Sequence, residues 1–285
     1  MRINTNINSM RTQEYMRQNQ DKMNTSMNRL SSGKRINSAA DDAAGLAIAT
    51  RMRAKENGLG VASRNTQDGI SLIRTADSAL NSVSNILLRM RDLAVQSANG
   101  TNSTDDRTAI DKEFGQLVNQ IDYIAKNTAF NGTTLLNGST DSKGDHTKTS
   151  SIAIKTYDDG GSADISITLA SANAEDLGLM KDDAGGTRVP AGVNDNNIIT
   201  TIDTKLKDIA TSRADLGATL NRLDFNVANL NSQASSMASS ASQIEDADMA
   251  KEMSEMTKFK ILNEAGISML SQANQTPQMV SKLLQ

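Results

Sequence analysis

The chain has 285 residues, of which 37% are hydrophobic but only 2% aromatic, with no tryptophan. Without bulky rings to fill a thick core, packing falls to Leu, Ile, Ala and Met, which suits thin seams between helices. A net charge of −3 and zero cysteines exclude a general nucleic-acid binder, disulfides and thiol chemistry.

The N-terminus, MRINTNIN, is polar and lacks the apolar centre of a cleavable secretory signal. No run reaches the roughly 20 apolar residues of a membrane span, so no membrane insertion is expected. Residues 1 to about 33 predict a helix with a narrow stripe at Met16, Gln20, Met23, Met27 and Leu30, stopped by Gly33 at the position after its last apolar residue. Ser38 followed by Asp41 and Asp42 signals a new helix start, with acid at the positive end of the dipole.

A second long helix is predicted over about 44–98, its seam sharpest at Ile73, Ala76, Leu80, Val83, Leu87, Met90 and Ala94. Asn99-Gly100 is expected to end it with a left-handed residue. Asp105 and Asp106 open a third helix with the stripe Ile110, Phe114, Leu117, Ile121, Ile124 and Thr128. After Asn131-Gly132 the period shifts to two. Residues 149–157 and 163–169 read as strands joined by the turn Asp158-Asp159-Gly160-Gly161. Residues 171–196, rich in Gly, Asp and Asn, are expected to be the least ordered and most replaceable segment.

Residues 199–244 carry the strongest pattern. Ile199, Ile202, Leu206, Ile209, Arg213, Leu216, Leu220, Leu223, Val227, Leu230, Ala234, Met237, Ala241 and Ile244 step by three and four without a break. This is a coiled-coil seam, about 70 Å long at about 1.5 Å per residue. Acid at 245–248 interrupts it. A last amphipathic segment follows, with Met249, Met253, Met256, Phe259, Leu262, Ala265, Met269 and Ala273, and Pro277 is expected to limit it. Ten of the 14 methionines lie before residue 35 or after 245, and thioether chains tolerate small differences in packing. Narrow stripes at both ends offset little of the about 1–2 kcal/mol per residue that ordering costs. The ends are therefore expected to fold against neighbouring copies, and an interface that does not close on itself propagates as a helix. The expected self-assembly stripes are Met16, Met23, Met27 and Leu30 with Met253, Met256, Phe259, Leu262 and Met269.

Catalytic chemistry finds no support. His146 is the sole histidine, too few for a zinc-protease motif or a nucleophilic triad. The acid pairs at 41–42 and 105–106 read as helix caps, and those at 158–159 and 182–183 as turn residues. Residues 141–145 lack the acidic spacing of a calcium loop. No catalytic, cofactor or metal residue is assigned.

Four stretches carry a resemblance. LSSGKRINSAADDAAGLAI at 30–48, FNGTTLLNG at 130–138, and IEDAD at 244–248 with QANQTPQ at 272–278 resemble the signatures of bacterial flagellin. The resemblance spans about 1–140 and 195–285. It implies a mainly α fold, a long coiled-coil helical rod with a small β-hairpin region and the N- and C-terminal helices paired as an inner coiled coil. It implies an inner tube domain from 1–40 and 245–285, and an outer rod domain from 41–244. The latter includes a hairpin at about 130–170 and a short variable loop at about 171–196. The implied function is that of a structural, non-enzymatic subunit polymerising into the extracellular flagellar filament used for swimming. Alternatives of the same architecture are the hook–filament junction protein and a coiled-coil component of the secretion apparatus. Implied partners are further copies of the chain, an export chaperone at the C-terminal helix, filament cap and hook-junction proteins, and a vertebrate Toll-like receptor. By resemblance the receptor positions are Arg89, Leu93, Gln96 and Glu113, with Leu88 standing where the family often has glutamine.

Overall fold

The structure, a computed structural model, describes residues 6–138, 150–157, 164–182, 188–190 and 197–283. It is mainly α, with helices α1 (Ile7–Ser32), α2 (Ala43–Ser97), α3 (Thr104–Asn127), α4 (Ile198–Glu245) and α5 (Met249–Leu283). Between α3 and α4 lie the strands β1 (Ala129–Phe130), β2 (Thr133–Thr134), β3 (Ser150–Lys155), β4 (Asp164–Leu169), β5 (Met180–Asp182) and β6 (Arg188–Pro190). They pair as three antiparallel hairpins, β1–β2, β3–β4 and β5–β6. The predicted turn at 158–161, the loop residues 141–145, His146 and Asp183 lie outside the described residues.

The chain divides into two compact units, Met1–Asn57 with Ala234–Gln285, and Gly58–Gln233. In the second unit the core runs along the predicted α2 seam: Ile73, Ala76, Leu80, Val83, Leu87, Met90 and Ala94 are all buried. The α4 seam supplies the facing surface, and its two heptad positions differ. Ile202, Ile209, Leu216, Leu223 and Leu230 are buried, while Ile199, Leu206, Arg213, Leu220 and Val227 are half-buried. Arg213 fits because it stands in the half-buried set, where its Nε donates to Asp77 Oδ1 at 2.7 Å and Nη1 to Asn81 Oδ1 at 3.1 Å. A charged fork at a seam position fixes register while keeping contact with water.

The third helix starts as predicted. Ser103 caps it, and Asp106 completes a capping box by accepting from the Ser103 backbone. Its buried face is rotated from the predicted stripe. Phe114, Val118, Ile121 and Ala125 are buried, with Ile110, Leu117 and Ile124 at the edge. Phe114, Val118, Ile121 and Ala125 also step by four and three, so spacing admits either phase, and packing against the rest of the unit selects the one that turns Val118 and Ala125 inward.

Asn131 (φ 48°) and Gly132 (φ 80°) form a two-residue turn with both central residues left-handed, which closes β1 onto β2. In β3–β4, Ile152 pairs with Ile167 and Ile154 with Ile165. The alternation puts Ile154, Ile167 and Leu169 in the core. Gly69 of α2 receives this hairpin: a methyl there would fall 2.2 Å from Ile154 Cδ1.

Three expectations are corrected. Gly33 has the expected left-handed φ of 71°, but neither Asn99 nor Gly100 does, and α2 ends at Ser97 with Asn99 N–H returning to Gln96 O. Residues 172–179, expected to be poorly ordered, bury Ala172, Asn173, Ala174, Leu177 and Leu179. Their polarity serves the turn: Asn173 Oδ1 accepts from Asp176 N at 2.7 Å, and Gly178 supplies φ 68°. Pro277 does not limit α5, which continues to Leu283.

Candidate assembly surface

In the unit formed by the two ends, α1 and α5 lie antiparallel. Asn6 meets Ala273, Met16 meets Gly266, Gln20 meets Asn263 and Arg29 meets Glu252. Asn6 starts α1 by accepting from Ser9 N at 3.2 Å, and Asp248 starts α5 by accepting from Ala250 N at 3.0 Å and Lys251 N at 3.2 Å. Gly266 allows the close approach, since a methyl there would fall 2.8 Å from Met16 Cγ. The Lys22 ammonium stands 5.8 Å from the centre of the Phe259 ring.

The proline of α5 acquires a partner here. Pro277 has no N–H to return to the carbonyl four residues back, that of Ala273. Asn6 Nδ2 donates to that oxygen at 2.8 Å. One side chain thus caps α1 with its oxygen and serves α5 with its nitrogen.

A second set of contacts holds the connector between α1 and α2 to the α4–α5 junction. Glu245 O accepts from Arg35 N at 2.7 Å and Ile36 N at 3.3 Å, and Gly33 O accepts from Ala247 N at 3.0 Å. The buried Glu245 carboxylate is held by Lys34 and, at 2.7 Å, by Arg53. Hydrogen bonds from Lys34 and then Arg53 lower its pKa below the ordinary glutamate range. IEDAD is therefore more than an acidic break in the seam, because its glutamate ties together segments from both ends of the sequence.

The pair of helices has little dry interior. Among the described residues of α1 and α5 no apolar side chain is buried, and the buried positions are Ser26 and Glu252. Apolar side chains instead remain exposed: Ile7, Met10, Tyr15 and Met27 on α1, and Met249, Met253, Ile261, Leu262, Ile267 and Met269 on α5. At about 100° per residue the face of α5 toward α1 carries Met256, Phe259, Asn263 and Gly266. Met249, Met253 and Ile267 flank it on one side, Leu262 and Met269 on the other, and Ile261 lies on the far side. Apolar residues on every side of a helix mark one that becomes enclosed.

The predicted stripes therefore split. Met16, Met23, Leu30, Met256 and Phe259 are half-buried, whereas Met27, Met253, Leu262 and Met269 point outward. In the other unit, Arg89 and Glu113 form an exposed ion pair at 2.7 Å and Gln96 is exposed. Leu93 is buried, which removes its side chain from that surface. Of the acid pairs at 41–42 and 105–106, Asp41, Asp42 and Asp106 make local backbone contacts at helix starts and turns. Asp41 accepts from Ser38 and Asn37, Asp42 caps α2 through Ala44 N and Gly45 N, and Asp106 belongs to the capping box. Backbone hydrogen bonds from Ser38 and Asn37 lower the Asp41 pKa, and the Ser103 hydroxyl lowers that of Asp106. Among the described residues no group of three His, Cys, Asp or Glu is placed to hold a metal, and no helix is long and apolar enough to cross a membrane.

Residues 3–141 match the family model of the bacterial flagellin N-terminal helical region, and residues 199–284 that of the C-terminal helical region. Flagellin of Listeria monocytogenes is 48% identical over 294 residues, covering 100% of this chain and 99% of that protein. The flagellar filament 33 kDa core protein of Treponema phagedenis is 40% identical over 289 residues, covering 100% of both. A crystal structure of Bacillus cereus flagellin is 40% identical, covering 62% of this chain and 94% of that one with a TM-score of 0.45. Two matched regions bracketing the middle of the chain, and full-length relatives at this identity, lead to one conclusion: the chain belongs to the bacterial flagellins.

Proposed function

We propose that this chain, a structural subunit of the flagellar filament, builds the wall of that filament by surrounding α5 with helices of neighbouring copies. The observation that carries the reading is the apolar surface around α5, of which α1 covers one face. In this reading 1–40 and 245–285 supply the inner tube domain, and 41–244 the outer rod domain. The hook–filament junction alternative is not favoured, because the full-length relatives are filament proteins.

The finer parts of the proposal follow the same surface. Before assembly the exposed face of α5 needs a cover, which suits an export chaperone at the C-terminal helix. In this reading the subunit is exported through the flagellar type III apparatus, with a cap protein and hook-junction proteins at the filament ends. Receptor recognition would use the exposed Arg89, Gln96 and Glu113. The test of the central claim is an Ile261→Lys, Ile267→Lys double variant of the full chain. We expect helix content in the free subunit to be retained while the polymerised fraction, measured by sedimentation and negative-stain microscopy, falls by about tenfold or more, since unpaired charge is costly to bury. Filaments forming at the unaltered concentration would overturn the proposal.

A further inference from the structure

Among the described residues, five of the chain's methionines are about half exposed or more: Met10 (62%), Met27 (52%), Met249 (48%), Met253 (51%) and Met269 (64%). All five lie on α1 or α5, the surface on which assembly is proposed to occur. Met90, by contrast, is fully buried in the core of the other unit. Among the described residues, the free subunit therefore offers its most accessible thioethers on the surface it needs for polymerisation.

We infer that these five methionines are modification sites through which peroxide blocks assembly of the free subunit, and that the filament shields them. The inference rests on the packing of α5 proposed above. In the reaction a sulfur lone pair attacks one oxygen of hydrogen peroxide. The O–O bond breaks, an S=O bond forms, sulfur loses two electrons and the remaining oxygen leaves as water after proton transfer. The product carries a strong acceptor on a side chain that was apolar and adaptable. Met249 and Met253 flank the α1-facing side of α5 on one edge and Met269 on the other, so sulfoxide would place unpaired oxygens on both flanks. Burying them against apolar neighbours without a donor disfavours the polymer. A thiol-dependent methionine sulfoxide reductase acting on the free subunit would reverse the block.

The experiment treats the purified full chain with dilute hydrogen peroxide, maps oxidation by peptide mass spectrometry and measures the critical concentration for seeded polymerisation. We expect the five sites to oxidise before Met90, with helix content kept and the critical concentration raised by about tenfold or more. Preformed filaments should oxidise more slowly at the same sites, and reductase treatment of oxidised subunit should restore growth. A variant with leucine at all five positions should polymerise equally with and without peroxide. Normal growth of fully sulfoxidised subunit, equal oxidation rates in subunit and filament, or failure of the reductase to restore growth would each overturn the inference. So would loss of assembly by the leucine variant after peroxide. Untreated subunit tests the packing proposal separately: lysine at 261 and 267 without effect removes that proposal, whereas the peroxide arm alone removes this one.

Discussion

Leu220 and Leu223 are both apolar members of the α4 seam, yet Leu223 is buried and Leu220 only half-buried. Truncating a buried leucine removes its transfer energy and leaves a cavity, together costing about 2–5 kcal/mol. A half-exposed leucine already touches water, and the space it vacates opens to solvent. We expect Leu223→Ala to lower the urea midpoint of the second unit at least about twice as far as Leu220→Ala. Equal shifts would show that the two heptad positions carry the same load. Three-and-four spacing made the seam legible, but not this inequality, because spacing specifies a stripe and burial depends on what crosses it. Gly33 was legible because a left-handed helix stop is a local property of a residue without Cβ. Glu245 was not, because its cationic partners, Lys34 and Arg53, stand 211 and 192 positions away. Nothing local distinguishes a glutamate that joins distant segments from one that only interrupts a hydrophobic run.

At the scale of whole helices, the long periodic segments were the most legible and their endings the least. Residues 171–196 look polar and glycine-rich to composition, yet 172–179 fold into a turn whose Ala172 N–H donates to Leu136 O at 2.9 Å. Burial of that turn depends on docking against another part of the unit, which composition does not record. Pro277 misled for a related reason. The local rule charges an internal proline about 3 kcal/mol or more, partly through a lost hydrogen bond, but it does not foresee a donor arriving from another helix. Asn6 is that donor, which makes the pairing testable. Asn6→Asp retains an oxygen to cap α1 but removes the amide that serves Ala273 O. We expect it to speed hydrogen exchange in the C-terminal turns of α5 while leaving the start of α1 closer to wild type. Asn6→Ala should loosen both, costing about 1 kcal/mol for the cap alone. Pro277→Ala restores an N–H for Ala273 O, so the effect of Asn6→Asp on α5 should shrink in that background. An unchanged effect would separate the Asn6 contact from the proline.

The whole molecule pairs one unit that has a continuous apolar core with another whose two longest elements lack a buried apolar side chain among the described residues. Ordering a backbone costs about 1–2 kcal/mol per residue, against a return of about 25 cal/mol for each Å² of apolar surface removed from water. For α1, with 26 residues, and α5, with 35, one half-covered seam is a poor return on that cost. The Glu245 contacts hold the chain just after α1 and just before α5, but they add no dry surface along the two helices. Local opening should therefore require far less free energy in α1 and α5 than in the α2–α4 core. Hydrogen exchange on free subunit and filament tests the difference. In the free subunit we expect the seam amides of 73–94 and 202–230 to exchange slowly and those of α1 and α5 quickly. In the filament α1 and α5 should slow by at least about a hundredfold as neighbouring copies cover the exposed faces of α5. Strong protection of both terminal helices before assembly would mean that they settle without neighbours, and the apolar surface around α5 would then need an explanation other than the filament wall.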